Sequence, residues 1–97
     1  MDANSDRDRQ SGHHAQAIPI HQQSLEIARL IGDRFSEGTA LGNLGVAAIE
    51  LKEYQAAIDY SQQHRAIAQE IGDRAGVTRA TENLAIAYER LELDGRS

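Results

Sequence analysis

The tetrapeptide Ile31-Gly32-Asp33-Arg34 recurs unchanged as Ile71-Gly72-Asp73-Arg74, 40 residues further along the chain. The similarity extends well beyond these four residues. When residues 17–51 are aligned without gaps to residues 57–91, 15 of the 35 pairs are identical. A fixed period in this range is typical of proteins built from stacked, similar units. The chain therefore contains a true internal repeat, and the fold must accommodate it.

Composition and charge narrow the class of protein. The chain has 97 residues, no Cys and a net charge of −5, so it forms neither a disulfide framework nor a thiolate metal site. It has no apolar run of about 20 residues and no N-terminal apolar core of a signal peptide, which favours a cytoplasmic, non-membrane protein. Its scattered basic residues argue against a nucleic-acid partner, and the acidic balance favours a basic or neutral peptide.

The N-terminal segment is polar and lacks apolar periodicity. Residues 1–16 are rich in Asp, Arg, Ser, Asn and Gln, a composition that predicts a disordered tail. His13-His14 lies in this segment without the further ligands that a metal site requires. A first helix is predicted from about Ala17 to Ile31, because Pro19 is best tolerated in the first turn.

The remaining sequence predicts three more helices, over about 34–51, 54–70 and 74–91. Gly32 and Gly72 are placed to end the helices before them, and Asp33 and Asp73 are placed to cap the helices that follow. Lys52-Glu53 forms the connection between the middle helices. Residues 93–97 are expected to fray. Such short turns require consecutive helices to pack as antiparallel neighbours.

The pattern resembles the tetratricopeptide repeat. The matching residues are Leu41, Leu44-Gly45, Ala57-Ile58 and the turn Ile71-Gly72-Asp73-Arg74. The 40-residue period and the run Ala-Leu-Gly-Asn-Leu-Gly at 40–45 resemble the long variant found in kinesin-light-chain-like and Pins-like adaptors and in many bacterial repeat proteins. The resemblance implies an all-α solenoid of antiparallel helix pairs across residues 17–92. In each pair a first (A) helix is followed by a second (B) helix.

The four predicted helices then follow in the phase B-A-B-A, so one complete pair is flanked by two half repeats. Repeat arrays normally need polar capping helices, and none is evident. Two explanations remain open. The chain is a fragment of a longer array, or another copy of the chain completes its ends through a homo-oligomeric contact.

Three residues of the second B helix depart from the family pattern: Ser61, His64 and Arg65. Their equivalents 40 residues earlier are His21, Ser24 and Leu25. A polar group facing a core costs about 1–3 kcal/mol unless it is hydrogen-bonded. These side chains are expected either to be satisfied locally or to rotate outward, and His64 is the candidate for a pH-sensitive contact.

In this family the A helices line a concave groove that binds extended or helical peptides. By position the resemblance implies a binding surface on both A helices of this chain. The implied residues are Thr39, Gly42, Asn43, Val46, Ile49, Glu50, Arg79, Glu82, Asn83, Ile86, Glu89 and Arg90. Asn43 and Asn83 are expected to grip peptide amides of the ligand, since Asn offers both a donor and an acceptor. The alternative for both is an Asn satisfied by water.

No constellation of residues predicts catalysis, a metal or a cofactor. No Gly-rich phosphate loop follows a strand, and the four His show no ligand spacing with carboxylates. The leading hypothesis is a non-enzymatic module that binds a peptide segment of a protein partner. The alternative is a structural, self-assembling repeat unit or a fragment of a longer scaffold.

Overall fold

The fold consists of four α-helices in a computed structural model, which describes the backbone of residues 3–96 and the side chains of residues 16–95. The helices are α1 (Ala3–Ile31), α2 (Arg34–Glu50), α3 (Tyr54–Ile71) and α4 (Arg74–Arg96). No strand occurs within this part of the chain. The all-α fold class predicted from the 40-residue period is thus confirmed.

The two Ile-Gly-Asp-Arg segments form the same turn. Gly32 and Gly72 each have a φ of 73°, a left-handed conformation that glycine adopts without steric cost. The amide of the following Asp donates to a carbonyl five residues back, from Asp33 to Ala28 at 2.9 Å and from Asp73 to Ala68 at 2.8 Å. These bonds satisfy carbonyls at the helix end that otherwise lack a donor.

Each Asp then caps the next helix, as predicted. The Asp33 carboxylate accepts from the Ser36 amide at 3.1 Å and from the Ser36 hydroxyl at 2.6 Å. Hydrogen bonds from that side chain and then from its amide lower the pKa of Asp33. Asp73 accepts in the same way from the Gly76 amide at 3.0 Å. The bounds of α2 and α3 fall within one residue of the prediction, and these turns define the beginning of α2 and the end of α3.

The expected beginning of the first helix near Ala17 is wrong. The helix begins at Ala3, so the segment expected to be a disordered tail has helical backbone from that residue, and Pro19 lies inside the helix. Proline removes one amide donor from the helix interior. The Pro19 side chain is exposed. The expectation for the side chains of His13 and His14 lies outside the described side chains.

The C-terminal helix also runs further than predicted, to Arg96 rather than to about Leu91. Residues 92–96 have helical backbone in the structure, and Ser97 lies outside the described residues. Leu93 remains 56% exposed.

The helix α2 is central to the packing. It contacts α1, α3 and α4, and α3 contacts α4. One core cluster joins α1, α2 and α3 through Leu25, Leu41, Leu44 and Ile67. A second cluster joins α2, α3 and α4 and includes Ile49, Ile58 and Leu84. Since neighbouring helices are antiparallel, the two A helices α2 and α4 run side by side in the same direction.

A glycine stripe on α2 explains the polar residues of α3. A Cβ built on Gly42 would lie 2.8 Å from the His64 Cε1 atom, and one built on Gly45 would lie 2.9 Å from the Ser61 hydroxyl oxygen. The two side chains are accordingly buried, at 4% and 0% exposure. Among the described residues, neither the Ser61 hydroxyl nor the His64 Nδ1 atom has a hydrogen-bond partner. The departure from the family pattern is therefore size complementarity between glycine and a larger polar side chain.

Arg65, the third residue of α3 that departs from the family pattern, and the equivalent residues of α1 are placed differently. Arg65 is exposed, as expected for a side chain that rotates outward. For Ser61 and His64 the expectation of local satisfaction or outward rotation is wrong, because both are buried and each has a polar atom with no hydrogen-bond partner among the described residues. In α1, Leu25 is buried, His21 is half-buried and Ser24 is exposed. None of the helices in the described range is both long enough and apolar enough to span a membrane.

Candidate functional site

The candidate site is formed by two matching stripes of side chains, one on each A helix. Thr39, Asn43, Val46 and Glu50 recur at intervals of four and three residues on α2, so they share one face of the helix. Their equivalents 40 residues later form the corresponding stripe on α4. These are Arg79, Asn83, Ile86 and Arg90. Because α2 and α4 contact each other and run in the same direction, the stripes lie side by side. We call them together the A-helix surface.

The A-helix surface is accessible. Its terminal members are exposed, whereas Asn43, Val46 and Asn83 are half-buried and Ile86 is 38% exposed. Each stripe therefore has an amide and an aliphatic side chain at its centre and mostly charged residues at its ends. This arrangement supplies donors and acceptors suited to a peptide bond beside apolar contacts. The Thr39 hydroxyl already donates its proton to the Phe35 carbonyl at 3.1 Å, so it can offer a ligand only an acceptor.

Four of the implied groove residues lie off these stripes. Gly42 is buried against His64, and Ile49 is buried at 7% exposure in the core cluster shared with α3 and α4. The expectation that these two line an open groove is therefore wrong. Glu82 and Glu89, their equivalents on α4, are exposed, but by their register they point toward the side of the A helix that packs against a B helix.

A buried histidine lies close to the A-helix surface. His64 contacts Gly38 and Gly42 of α2 from α3. Burial lowers its pKa below the ordinary value of 6.5, the nearby positive charge of Arg79 lowers the pKa further, and Asp73 opposes both effects. Arg79, a member of the A-helix surface, is thus one of the charges that act on the pKa of His64.

A polar network that the sequence did not reveal joins three helices. The Glu37 carboxylate, on α2 and 9% exposed, accepts from the Arg29 Nε atom at 3.2 Å and from an Arg34 terminal nitrogen at 2.8 Å. Arg34 also donates from Nε to Glu70 of α3 at 2.7 Å, and this hydrogen bond lowers the pKa of Glu70. The residue 40 positions after Glu37 is Val77. Of the residues in this network, only Arg34 belongs to the repeated turn. Its partners Glu37 and Glu70 lie outside that turn, so the repeat does not predict the network.

The network borders a cleft between the two B helices. Arg29 of α1 donates to the Gln63 side-chain oxygen of α3 at 3.2 Å, although α1 and α3 do not pack directly. The cleft has a volume of about 710 Å³. Leu41 and Leu44 contribute apolar walls, and Gln22, Gln23 and Gln63 contribute amides. Within the described part of the chain, no group of three or more His, Asp or Glu residues is placed to hold a metal ion.

These observations define the class of protein as a solenoid of antiparallel helix pairs with a mixed polar and apolar surface on its A helices. The family model for the tetratricopeptide repeat matches residues 8–70 and again residues 36–94. The chain belongs to the tetratricopeptide repeat family. No curated protein and no solved structure matches the chain. Tetratricopeptide repeats generally mediate protein–protein interaction or scaffolding, and the family is typically non-enzymatic.

Proposed function

We propose that the protein is a non-enzymatic adaptor module that binds a peptide segment of a protein partner on the A-helix surface. The observation that supports this proposal is the pair of stripes in register, each with a half-buried Asn at its second position. An Asn side chain can accept from one peptide amide and donate to a carbonyl. Asn43 and Asn83 are therefore assigned to the ligand backbone.

The other residues of the A-helix surface are assigned to specificity. Val46 and Ile86 offer an apolar contact for one anchoring side chain, since burial of apolar area favours binding. Glu50, Arg79 and Arg90 select the charge of the ligand, and Thr39 offers a further hydroxyl. Glu82 and Glu89 lie at the edge of this surface and contribute charge rather than direct contacts. A surface built from two A helices is short, so we expect micromolar or weaker affinity.

The test uses a phage-displayed library of random 12-residue peptides, selected on the full chain. Peptides that bind are then measured against Asn43→Ala/Asn83→Ala by isothermal titration calorimetry. Loss of two hydrogen-bonding side chains is expected to weaken binding at least tenfold. The matched control is Gln55→Ala/Gln69→Ala, which removes two exposed amides from the B helix α3 and is expected to leave affinity unchanged. Equal binding by both double variants, or no enriched peptide, would refute the proposal.

A second candidate function is self-assembly of repeat units through the terminal helices. Large apolar side chains are exposed on α1, including Ile27 at 50% and Ile31 at 71% exposure. In that case the protein is a unit of a scaffold. Its repeats resemble the long variant found in kinesin-light-chain-like and bacterial proteins. Light scattering across concentration separates it from a monomeric adaptor. A monomer mass at every concentration would refute self-assembly.

A further inference from the structure

The two asparagines of the A-helix surface are separated across two helices rather than along one. Asn43 and Asn83 occupy equivalent positions of α2 and α4, and these helices contact each other and run in the same direction. Packed helices lie about 8–10 Å apart. A single ligand backbone that binds both side chains therefore crosses the two helices and offers two peptide groups separated by about the same distance.

This distance distinguishes between the extended conformations of a peptide. In a β-strand, alternate residues direct their backbone groups to the same edge, so equivalent groups recur about every 6.5 Å and again after about 13 Å. Neither value matches the separation of the helices. A polyproline II helix has three residues per turn and a rise of about 3.1 Å per residue, so equivalent groups recur about every 9.3 Å. Of these two conformations, polyproline II fits the spacing of the asparagines.

An α-helical ligand is disfavoured by hydrogen bonding. The interior amides and carbonyls of an α-helix bind each other, so they offer no free peptide group to Asn43 or Asn83. A polyproline II helix has no internal backbone hydrogen bonds. Each asparagine is half-buried and has both a donor and an acceptor. Each can therefore bind one solvated peptide group of such a ligand.

The charges of the A-helix surface define one flank of the ligand. Glu50 and Arg90 occupy equivalent positions at one end of the stripes, so their opposite charges offset each other. At the other end, Arg79 corresponds to the neutral Thr39. Arg79 is exposed, and the ion pairs in the described part of the chain are made by other arginines. An acidic side chain of the ligand is therefore complementary to the Arg79 end.

We propose that the ligand of the A-helix surface is a proline-containing segment in the polyproline II conformation that crosses α2 and α4. Asn43 and Asn83 bind peptide groups three residues apart. One apolar side chain between these groups contacts Val46 and Ile86, and an acidic side chain lies beside Arg79. Proline is excluded at the two residues whose amides donate and favoured at the others, because it lacks an N–H and fixes φ near the polyproline II value. This inference rests on the adaptor proposal and names the class of ligand.

The first test compares two phage-displayed libraries of 12-residue peptides, both selected on the full chain. One library is random, and the other has proline fixed at every third position, which favours polyproline II. The proline library is expected to give the tighter peptides, by about fivefold or more in Kd, because its members lose less conformational freedom on binding. Isothermal titration calorimetry measures the difference.

The second test locates the peptide groups that bind. In the tightest peptide from the proline library, each residue other than proline is replaced in turn by its N-methyl form, which removes one N–H donor. Two sensitive positions are expected, three residues apart, and each replacement should weaken binding about tenfold or more. The remaining positions are the internal controls and should keep the affinity of the parent peptide.

Double-mutant cycles then assign each contact. N-methylation at one sensitive position should have no further effect on binding to Asn43→Ala, and at the other no further effect on binding to Asn83→Ala. The control Gln55→Ala/Gln69→Ala should retain both sensitivities. Replacing the acidic residue of the peptide by its amide should weaken binding to the wild type about threefold or more, and should change binding to Arg79→Gln little.

Four outcomes would overturn the inference. They are no advantage of the proline library, sensitive positions two or four residues apart, a single sensitive position, and losses at every position, as for a helical ligand. In each case a peptide still binds, and the titration of Asn43→Ala/Asn83→Ala judges the adaptor proposal separately. If neither library yields a peptide, the adaptor proposal fails and this inference fails with it.

Discussion

At the scale of single residues, the contact between Gly42 and His64 decides how α2 and α3 approach. A Cβ on Gly42 would lie 2.8 Å and 2.9 Å from two atoms of the imidazole ring, closer than van der Waals contact permits. Glycine costs about 1 kcal/mol relative to alanine in a helix interior. In the structure this cost is offset by packing, since the absence of a Cβ at Gly42 leaves room for the buried His64 ring.

Gly42→Ala is expected to lower the free energy of unfolding by about 1–2 kcal/mol, since the overlap with His64 outweighs the gain in helix propensity. In a His64→Ala background the ring is absent, and the same substitution should instead be neutral or stabilising. Urea denaturation of the two single variants and the double variant measures this coupling. Gly95→Ala, with nothing within 4 Å of the added Cβ, is the control. Additive effects would show that ring and glycine do not interact.

The buried His64 also makes stability depend on pH. Its pKa is lowered in the folded state by burial and by Arg79, so the unfolded chain binds the proton more readily. The contribution of the neutral ring is fully present above pH 6.5, the ordinary pKa, and is lost as the pH falls below it. The free energy of unfolding should therefore fall between about pH 7 and pH 5.

The measurement is urea denaturation at several pH values, comparing the wild type with His64→Gln. The variant should lack the decline in this window, whereas His21→Gln should retain it. Declines below this window belong to carboxylates, since hydrogen bonds lower the folded-state pKa of Asp33 and Glu70. Their stabilisation is present above ordinary values of 3.8 and 4.5 and is lost on further acidification. Parallel profiles for the wild type and His64→Gln would contradict the assignment to His64.

At the scale of helices, the three turns use one geometry with different residues. The α2–α3 turn repeats the five-residue hydrogen bond, from the Glu53 amide to the Ala48 carbonyl at 2.8 Å. Its left-handed residue, however, is Lys52, with a φ of 63°. A residue with a Cβ costs about 1–2 kcal/mol in this conformation. The same turn therefore carries a strain that Gly32 and Gly72 avoid.

Lys52→Gly is expected to raise the free energy of unfolding by up to about 1 kcal/mol, because relief of strain exceeds the added entropy of the unfolded chain. Gly72→Ala is expected to lower it by about 1 kcal/mol for the opposite reason. Thermal unfolding followed by circular dichroism measures both. Lys52→Ala, which keeps the Cβ and removes the charge, is the control. If it stabilises as much as Lys52→Gly does, the charge rather than the backbone is responsible.

These turns also show what the sequence can predict. Gly and Asp act locally, so the beginning of α2 and the end of α3 followed from the repeated tetrapeptide. The beginning of α1 did not, because the position of Pro19 was judged by local propensity, whereas its exposed position in the folded chain allows it inside a helix. The burial of His64 also depends on a glycine of another helix. The two stripes of the A-helix surface were implied by the resemblance to the tetratricopeptide repeat, and their role in binding stays a prediction. The burial of Gly42 and Ile49 required knowledge of which face of α2 packs against α3.

At the scale of the whole molecule, α1 is the least supported helix. Among the described residues it packs on α2 only, whereas α2, α3 and α4 each contact at least two others. Its further attachment is polar, through Arg29 to Glu37 of α2 and to Gln63 of α3. Because Glu37 also binds Arg34, which in turn binds Glu70, one buried carboxylate connects the first half repeat to the complete helix pair.

Glu37→Val, which introduces the residue found at the equivalent position 77, is therefore expected to loosen α1 selectively. Amide hydrogen exchange followed by mass spectrometry should become faster in α1, at least severalfold, while α4 stays close to the wild type. The reason is that Arg29 loses its buried acceptor, whereas the contacts of α4 with α2 and α3 remain. Glu70→Gln is the control, because it weakens only the outer, 55% exposed end of the network and should change α1 little. Uniform acceleration along the chain would show that Glu37 supports global stability rather than the attachment of α1.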